Sequence, residues 1–360
     1  MRVAFTAWTP LHIINILNVQ QNFYQDALCD LFVYNEFQNA EVIYQRIKEE
    51  NIFEHVYLVQ NGNNTSKFRK IYEVLLNNFT NYLSEPITNI HYDIFFIQGD
   101  NYFSKLLFAQ AKHQNSNLEL NYLEDGMGIY INPQVLDKDS RGHRYYSKLN
   151  RSSIYLNEFK HYFVYEPELV ELEASFKRLP KLTLNNPVTV LISRIFDLSD
   201  NDRQLKDSVV FIEQPFEHEL LNIDQELILK FFEKYQKSRS IKVKLHPRTF
   251  GERFNKQYEI LETNLPWELY LIETDVINCL IVTVISTVAF TPFLIFGNDQ
   301  KTVFLSDVLL SQRKELQLNH KTCKTLEKSS NLVRRFNRLS NGIISLPANI
   351  EELGKIISRT

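Results

Sequence analysis

Short apolar runs alternate along the chain with stretches whose apolar residues recur at helical spacing. The runs that we expect to form strands are 2–6, 30–34, 55–60, 93–97, 118–123, 188–193, 208–212, 241–245, 258–261, 278–285 and 302–305. Amphipathic stretches that we expect to form helices separate several of them, for example 39–51, 67–83, 101–113 and 224–238. Near-continuous apolar strands with helical crossovers are typical of parallel sheets covered on both faces. The pattern therefore predicts an α/β protein.

The chain is expected to divide into two domains, because its 360 residues exceed what most single cores hold. The segment 167–187 contains three prolines, has no clear period and is the best candidate for a linker. We therefore predict a first domain over 1–180 and a second over 181–360, each with its own parallel sheet.

One stretch, 276–297, is long and apolar enough to be considered as a membrane span. Polar residues and a proline interrupt it, and β-branched residues dominate its first half. These features favour a buried strand that runs into a helix. The opening residues, MRVAFTAWTPLHIINI, lack the unbroken apolar segment of a signal peptide and predict a strand followed by a helix from Thr9 and Pro10.

The net charge and the cysteine content argue against several classes of protein. The net charge of −3 provides no general positive excess to neutralise phosphates, so nucleic acid is not an expected partner. Cys29, Cys279 and Cys323 form neither a CxxC pair nor an even set, which argues against a zinc site or a disulfide framework. Reduced thiols favour a cytoplasmic protein.

Polar groups follow at least five of the predicted strands, at the strand ends where open α/β sheets bind ligands. They are Gln98, Asp100 and Asn101; Glu124, Asp125 and Gly126; Glu213 and Gln214; His246 and Pro247; and Ser286 and Thr287. Each group also has an ordinary structural interpretation, such as an acidic turn, a histidine bonded to the backbone or a helix cap. The order and spacing of Glu-Asp-Gly, His-Pro and Ser-Thr together favour a functional role.

These three motifs resemble those of the bacterial sialyltransferases of GT-B architecture, most closely glycosyltransferase family 52. The opening TPLHIINIL is similar to that family's first loop and helix, and Glu268 in LPWEL stands where related enzymes contact the nucleotide ribose. The resemblance implies two Rossmann-like domains that face each other across a cleft. The first domain would hold the acceptor and the general base, and the second the nucleotide-sugar donor.

The resemblance also implies inverting transfer of sialic acid from CMP-sialic acid to a galactose-type hydroxyl of a bacterial surface glycan, such as capsule or lipooligosaccharide. Glu124 is the expected base, because the family's base usually occupies the first acidic position. Asp125 would orient the acceptor or raise the pKa of its neighbour by repulsion, and the sequence leaves the two roles open. His246, Ser286 and Thr287 would stabilise the departing phosphate.

Further residues are assigned to the two substrates by their positions at strand ends and in the opening loop, and Glu268 is assigned because the resemblance implies it. On the donor side they are Glu213, Gln214, Lys244, Pro247 and Glu268, and on the acceptor side Thr9, Pro10, Gln98, Asp100, Asn101 and Gly126.

No cofactor or metal is expected. The segments 137–139 (DKD) and 200–202 (DND) have the spacing of a metal-binding DxD, but solvated loop charge is the favoured interpretation. The basic stretch 324–341 is compatible with peripheral contact at the inner face of a membrane, although a helix packed on the body is favoured.

Two other functions stay open at this point. One is a GT-B hexosyltransferase that uses another nucleotide sugar, and the other is a non-catalytic protein that binds a nucleotide or glycan. An epimerase of similar architecture has no specific support in the sequence. The oligomeric state is left open.

Overall fold

The structure is a computed structural model of the 360-residue chain. It describes residues 1–60, 83, 87, 91–99, 101–131, 133, 159–183, 185–198, 205–216, 220–233, 239–246, 254, 258–261, 265–272, 274, 276 and 278–359. The chain divides into two units, Met1–Asp197 and Leu198–Thr360, each with its own sheet. The two Rossmann-like parallel-sheet domains expected of a GT-B protein are therefore confirmed, while the cleft between them stays a prediction.

Among its described residues, the N-terminal unit contains seven parallel strands and five α-helices. In chain order they are β1 (Arg2–Ala7), α1 (Pro10–Phe23), β2 (Leu28–Tyr34), α2 (Ala40–Glu49), β3 (His55–Val59), β4 (Ile94–Ile97), α3 (Tyr102–Gln114), β5 (Glu119–Leu123), α4 (Gly128–Ile131), β6 (Phe159–Val164), β7 (Phe176–Arg178) and α5 (Pro187–Phe196). The strand order is β3-β2-β1-β4-β5-β6-β7. All four residues of β4 are buried, as expected for a central strand covered on both faces.

Helix α1 begins where the sequence predicts. The Thr9 hydroxyl accepts a hydrogen bond from the His12 N–H at 3.3 Å, and Pro10 occupies the first helical position, where its missing N–H has no consequence. The loop between β1 and α1 is therefore short and fixed, and it holds Trp8 at the carboxyl end of β1.

Two expectations for the region between the domains are corrected. The run 188–193 is not a strand but part of α5, in which Asn186 caps the helix and Val188, Leu191, Ile192 and Ile195 recur at helical spacing on the buried side. The segment 167–187 is not a free linker, because β7 pairs with β6 and Leu169, Leu179 and Leu182 are buried.

The division of the chain falls after Asp197 rather than after residue 180. Helix α5 packs against α1 and α2. The guanidinium of Arg46 reaches the Ile195 carbonyl at 3.2 Å, and Arg194 pairs with Glu50 at 2.6 Å. These contacts attach α5 to the N-terminal unit.

The C-terminal unit contains a second parallel sheet. Its elements are β8 (Ser208–Ile212), α6 (Gln225–Glu233), β9 (Ser240–Lys244), β10 (Glu259–Ile260), α7 (Trp267–Ile272), β11 (Leu280–Thr283), α8 (Thr291–Phe296), β12 (Thr302–Phe304), α9 (Ser306–Ser311), α10 (His320–Leu339), β13 (Ile344–Ser345) and α11 (Ile350–Arg359). The strand order is β10-β9-β8-β11-β12-β13. A core of aliphatic and aromatic residues, including Val243, Val282 and Leu326, fills the space between the sheet and its helices.

The apolar stretch 276–297 contains β11 and α8, joined by a short 3₁₀ turn, so the expected strand running into a helix is confirmed. Within the described ranges, no helix is both long and apolar enough to cross a bilayer. Most of the basic stretch 324–341 lies in α10, whose Leu326, Val333 and Phe336 are buried against the body. The predicted helix 67–83 lies outside the described residues, except for Leu83.

Candidate functional site

Strands β1, β4 and β5 are neighbours at the centre of the N-terminal sheet, where the order of the strands reverses. Their carboxyl ends lead directly into Trp8 and Thr9, Gln98 and Gly99, and Glu124, Asp125 and Gly126. A reversal of strand order opens a crevice at the carboxyl edge, which is the usual ligand site of such sheets. The sequence therefore places its acidic motif at the expected position in this fold.

Glu124 is buried, with 1% of its surface exposed. Its Oε2 accepts hydrogen bonds from the Tyr130 hydroxyl and from the Tyr165 N–H, the latter at 2.9 Å. The Asn15 side chain donates to the Glu124 carbonyl at 2.8 Å. Burial raises the pKa of Glu124 to about 8, although the two donors to its carboxylate oppose the shift. The side chain is therefore mostly protonated at neutral pH and fixed in place.

Asp125 differs from its neighbour because part of its surface is exposed. The Tyr122 hydroxyl donates to its Oδ1 at 3.1 Å. Burial raises the pKa of Asp125 to about 6, and the hydrogen bond from Tyr122 limits the rise. The next residue, Gly126, has φ of 109°, a conformation that favours glycine, and it turns the chain away from the strand as predicted.

The two carboxyl groups therefore differ in what they can do chemically. A general base must reach the proton it removes, and it works best when its pKa is close to the working pH. Asp125 is ionised at pH 7, partly exposed and more basic than an ordinary aspartate, whereas Glu124 is buried and mostly protonated. The geometry favours Asp125 for proton transfer and Glu124 for holding the strand end.

We predict that Glu124→Gln stabilises the protein at alkaline pH. The pKa of Glu124 is about 8 in the folded protein and 4.5 in the unfolded chain. A group with such a raised pKa contributes fully to the free energy of unfolding below pH 4.5, and this contribution is lost as the pH rises through 8. At about 1.36 kcal/mol per pKa unit, this loss amounts to ~3 kcal/mol between pH 5 and pH 8. Glutamine has no proton to lose, so the Tm of the variant should exceed that of the wild type by about 5 °C or more at pH 8 and by much less at pH 5.

Glu119→Gln, at the other end of β5, is the matched control. Burial alone would raise the pKa of Glu119, but hydrogen bonds from Lys160 and Asn121 overcome it and lower the pKa. Its stabilisation is present above the ordinary pKa, so this variant should be less stable than the wild type at pH 8. Equal thermal shifts of the two variants would contradict the burial of a protonated Glu124.

The other acceptor-side candidates mainly support local structure. Thr9 and Pro10 form the first turn of α1, and Asn101 caps α3 by accepting hydrogen bonds from the N–H groups of Phe103 and Ser104 at 2.9 and 3.4 Å. Gln98 is fully buried beside the Thr6 hydroxyl, and its Nε2 has no acceptor among the described residues. Asp100 lies outside the described residues.

In the C-terminal unit, β8 lies between β9 and β11, and the residues after β8 connect the two flanking strand ends. The Glu213 carboxylate accepts a hydrogen bond from the backbone N–H of His246 at 2.9 Å. Gln214 accepts one from the Ile285 N–H at 2.9 Å, immediately before Ser286. Glu213 and Gln214 are both buried, so their contacts fix the loops that carry the other residues. His246, Ser286 and Thr287 thus lie along the same carboxyl edge.

Ser286 and Thr287 are partly exposed at the start of the short turn after β11. The Ser286 hydroxyl accepts a hydrogen bond from the Val288 N–H at 3.4 Å, which is the capping role that its residue type allows. The Thr287 hydroxyl makes no hydrogen bond with any described residue, so it is available to a ligand.

Lys244 and Glu268 influence each other electrostatically near this edge. Burial lowers the pKa of Lys244, while the carboxylates of Glu268 and Glu213 oppose the shift. Burial raises the pKa of Glu268, whose Oε1 accepts a hydrogen bond from the Thr291 hydroxyl. Glu268 is buried, with 6% of its surface exposed, and its expected contact with a ribose stays a prediction. Pro247 lies outside the described residues.

The sequence interpretation missed the tyrosines that hold the two carboxyl groups. Tyr122 precedes the motif on β5. The sequence around it, Asn121-Tyr122-Leu123, gave no sign that the Tyr122 hydroxyl contacts Asp125. Tyr165 follows β6, a strand that was not predicted, and Tyr130 lies in the short helix α4. A tyrosine shortly before or after an acidic strand end is the signal that was available for Tyr122 and Tyr130. Tyr165 contacts Glu124 through its backbone N–H, which no side-chain pattern reveals.

Among the residues that the structure describes, no group of three or more His, Cys, Asp or Glu side chains could hold a metal ion. Both DxD segments, 137–139 and 200–202, lie outside those residues.

Comparison with solved structures gives similarity over the whole chain at low identity. The UDP-GlcNAc 2-epimerase from Neisseria meningitidis bound to UDP-GlcNAc is 14% identical, with a TM-score of 0.45, and 100% of this chain and 99% of that chain are covered. The spinosyn rhamnosyltransferase SpnG is 10% identical, with a TM-score of 0.48 and 100% of both chains covered. The UDP-GlcNAc 2-epimerase of Methanocaldococcus jannaschii is 15% identical, with a TM-score of 0.46, over 100% of this chain and 92% of that one.

No curated protein sequence matches the chain. One family model does, that of alpha-2,8-polysialyltransferase (POLYST), over residues 8–305. The matched stretch includes both strand-end edges and all three motifs. The match supports the expected resemblance to bacterial sialyltransferases, although it does not name family 52. The chain belongs to the alpha-2,8-polysialyltransferase family.

Proposed function

We propose that this protein is an inverting glycosyltransferase that moves sialic acid from CMP-sialic acid to a hydroxyl of a glycan acceptor without a metal ion. The observation that carries the proposal is Asp125, a partly exposed carboxylate at the carboxyl edge of the N-terminal sheet whose pKa is raised to about 6. The family match supports a sialyltransferase over a binding protein.

In the proposed reaction, Asp125 takes the proton of the acceptor hydroxyl as the hydroxyl oxygen bonds to the anomeric carbon of the donor. The bond from that carbon to the phosphate oxygen breaks at the same time, and CMP leaves with the bonding electrons. Attack opposite the leaving group inverts the configuration. Glu124, held by Tyr130 and Tyr165, keeps the strand end in position.

The leaving phosphate gains negative charge as the bond breaks. His246 and the hydroxyls of Ser286 and Thr287 are the groups that we assign to it, because all three are partly exposed at one strand edge. Donors fixed in place before the reaction stabilise such charge without reorganisation. Lys244 adds a positive charge near this edge.

The proposal also covers the glycan that accepts the sialic acid. The sequence resemblance suggested a galactose-type hydroxyl, whereas the family name specifies an α2,8 linkage to sialic acid. We therefore propose a glycan that ends in sialic acid as the preferred acceptor, with a galactose-terminated glycan as the comparison acceptor.

The first test is a thermal-shift measurement with nucleotides alone. CMP should stabilise the protein more than UMP, UDP or GDP, because a ligand that binds only the folded state adds about 2.7 kcal/mol at a concentration of 100 Kd. Turnover should then follow with CMP-sialic acid and not with UDP or GDP sugars. Stabilisation by UDP alone would favour a hexosyltransferase, and stabilisation by CMP without transfer to any acceptor would favour a binding protein.

A further inference from the structure

Gly99 has no structural reason to be a glycine. Its φ lies outside the left-handed region, so an L side chain fits its backbone. A Cβ at this position would lie 3.6 Å from Asp125 Oδ2 and 3.8 Å from Trp8 Cζ2, which are ordinary contact distances. Neither chain conformation nor packing therefore excludes alanine, and the missing side chain needs another explanation.

The two atoms near that Cβ position belong to the groups most suited to bind a sugar. They are the carboxylate of Asp125 and the indole of Trp8, and no other heavy atom of the described residues lies within 4 Å, apart from the residues next to Gly99 in the chain. Gly99 follows β4, between the β1 end that carries Trp8 and the β5 end that carries Asp125. The glycine thus leaves a space between a base and an aromatic ring.

Trp8 is a rigid platform. Its indole stacks on the Tyr34 ring, with centroids 6.0 Å apart and an angle of 19° between the planes, and it meets the edge of His12 at 4.5 Å. The backbone N–H of Trp8 donates to His12 Nδ1 at 3.3 Å, which fixes the start of the loop, and the Tyr34 hydroxyl is held in turn by the Ser104 hydroxyl at 2.8 Å. Part of the Trp8 surface stays exposed. An aromatic ring with fixed orientation and exposed surface binds the apolar face of a pyranose at little entropic cost.

We infer that Trp8 and Gly99 form the subsite for the terminal sugar of the acceptor, next to Asp125. The C–H face of the sugar packs on the Trp8 indole, the ring lies close to the Gly99 backbone, and the reacting hydroxyl points to the Asp125 carboxylate. This inference rests on the proposed function for the identity of the reaction. It adds the two residues that recognise the acceptor as a carbohydrate, neither of which carries a charged side chain.

Gly99→Ala is the sharpest test, because the added methyl group fills the space and contacts only the two side chains of the subsite. With the α2,8-linked trimer of sialic acid as acceptor and CMP-sialic acid at saturation, the KM for the acceptor should rise about 10-fold or more. Trp8→Ala should raise it similarly, and Trp8→Phe by about 3-fold, since a smaller ring keeps part of the stacking surface. Hydrolysis of CMP-sialic acid in the absence of acceptor should stay within about 2-fold of the wild type in all three variants.

Gly128→Ala is the matched control. A Cβ on Gly128 would lie 3.4 Å from Asp125 Oδ1, the other oxygen of the same carboxylate, on an exposed residue at the start of α4. If Gly99→Ala acted only by disturbing Asp125, this variant would show the same defect. We expect its acceptor KM to stay within about 2-fold of the wild type. An unchanged acceptor KM in Gly99→Ala and Trp8→Ala, with transfer intact, would overturn the subsite and leave the proposed function standing.

A binding measurement separates the subsite from turnover. The chain has two tryptophans, so Trp267→Phe leaves Trp8 as the single reporter of intrinsic fluorescence. Titration with the sialic acid trimer should change this emission, and Gly99→Ala in the same background should remove the change. If the wild type transfers no sugar from any nucleotide donor, the proposed function fails. The subsite is then decided by this titration alone, because a saturable signal lost in Gly99→Ala supports it and an unaltered emission rejects it.

Discussion

Asp125→Asn should lower kcat for sialic acid transfer by about 10²–10⁴, the range that a positioned general base contributes. Asparagine has nearly the same shape and still accepts the hydrogen bond that the Tyr122 hydroxyl donates to Oδ1 at 3.1 Å, so folding should be unaffected. It cannot, however, take the proton from the acceptor hydroxyl. The measurement is the steady-state rate with CMP-sialic acid and a sialic acid trimer, both at saturation, at pH 7.5.

Glu124→Gln is the neighbouring isosteric control. Because Glu124 is 1% exposed and mostly protonated at neutral pH, a neutral amide replaces a side chain that is already neutral. We expect its kcat to stay within about 10-fold of the wild type. The opposite result, an inactive Glu124→Gln and an active Asp125→Asn, would return the base to the first acidic position, where the family resemblance put it.

The pH profile reports the same assignment independently. Burial raises the pKa of Asp125 to about 6, so kcat/KM should rise with pH up to about 6 and then level off as the carboxylate ionises. Tyr122→Phe removes the hydrogen bond that limits this pKa, and the rising limb should therefore move to higher pH. A profile that does not move in Tyr122→Phe would show that another group controls it.

The sheets could be predicted largely from the sequence because buried parallel strands are continuous apolar runs. Strands β1, β2, β4, β5 and β8 all lie within one or two residues of the predicted runs. Two kinds of segment gave errors. The run 188–193 is apolar enough for a strand, but the Asn186 cap and Pro187 start a helix there. Strand β6 mixes charged and aromatic residues over Phe159–Val164, since its first three residues are not fully buried, and so gave no apolar run.

The positions of the motifs were predictable, whereas the division of labour between the two acids was not. Adjacent residues at a strand end point in different directions, and which of them is buried depends on what packs there. Tyr165, whose backbone N–H donates to Glu124, lies far along the chain, directly after a strand that was not predicted. Gly99 is a similar case, because its significance lies in distances to Trp8 and Asp125 that no local pattern encodes.

His246→Ala should lower kcat by about 10²–10³, the effect of removing one fixed donor to a developing oxyanion. His246 is partly exposed at the end of β9, and its N–H is anchored to Glu213 Oε2 at 2.9 Å, so the backbone of the variant keeps its position. The imidazole is assigned to the leaving phosphate of CMP, which gains charge in the transition state. The rate of transfer should be the same in the presence of EDTA, because the proposed reaction uses these groups in place of a metal ion.

If His246 stabilises the leaving phosphate, its removal should lower the rate of every reaction that releases CMP. Transfer to the acceptor and hydrolysis of CMP-sialic acid by water have the same leaving group, so both should fall in His246→Ala by a similar factor, while the KM for the acceptor stays within about 3-fold. His246→Asn, whose amide can still donate a hydrogen bond, should recover part of the rate. His113→Ala, at an exposed histidine of α3, is the matched control and should be fully active. A large fall in transfer with unchanged hydrolysis would place His246 on the acceptor side and remove it from the phosphate.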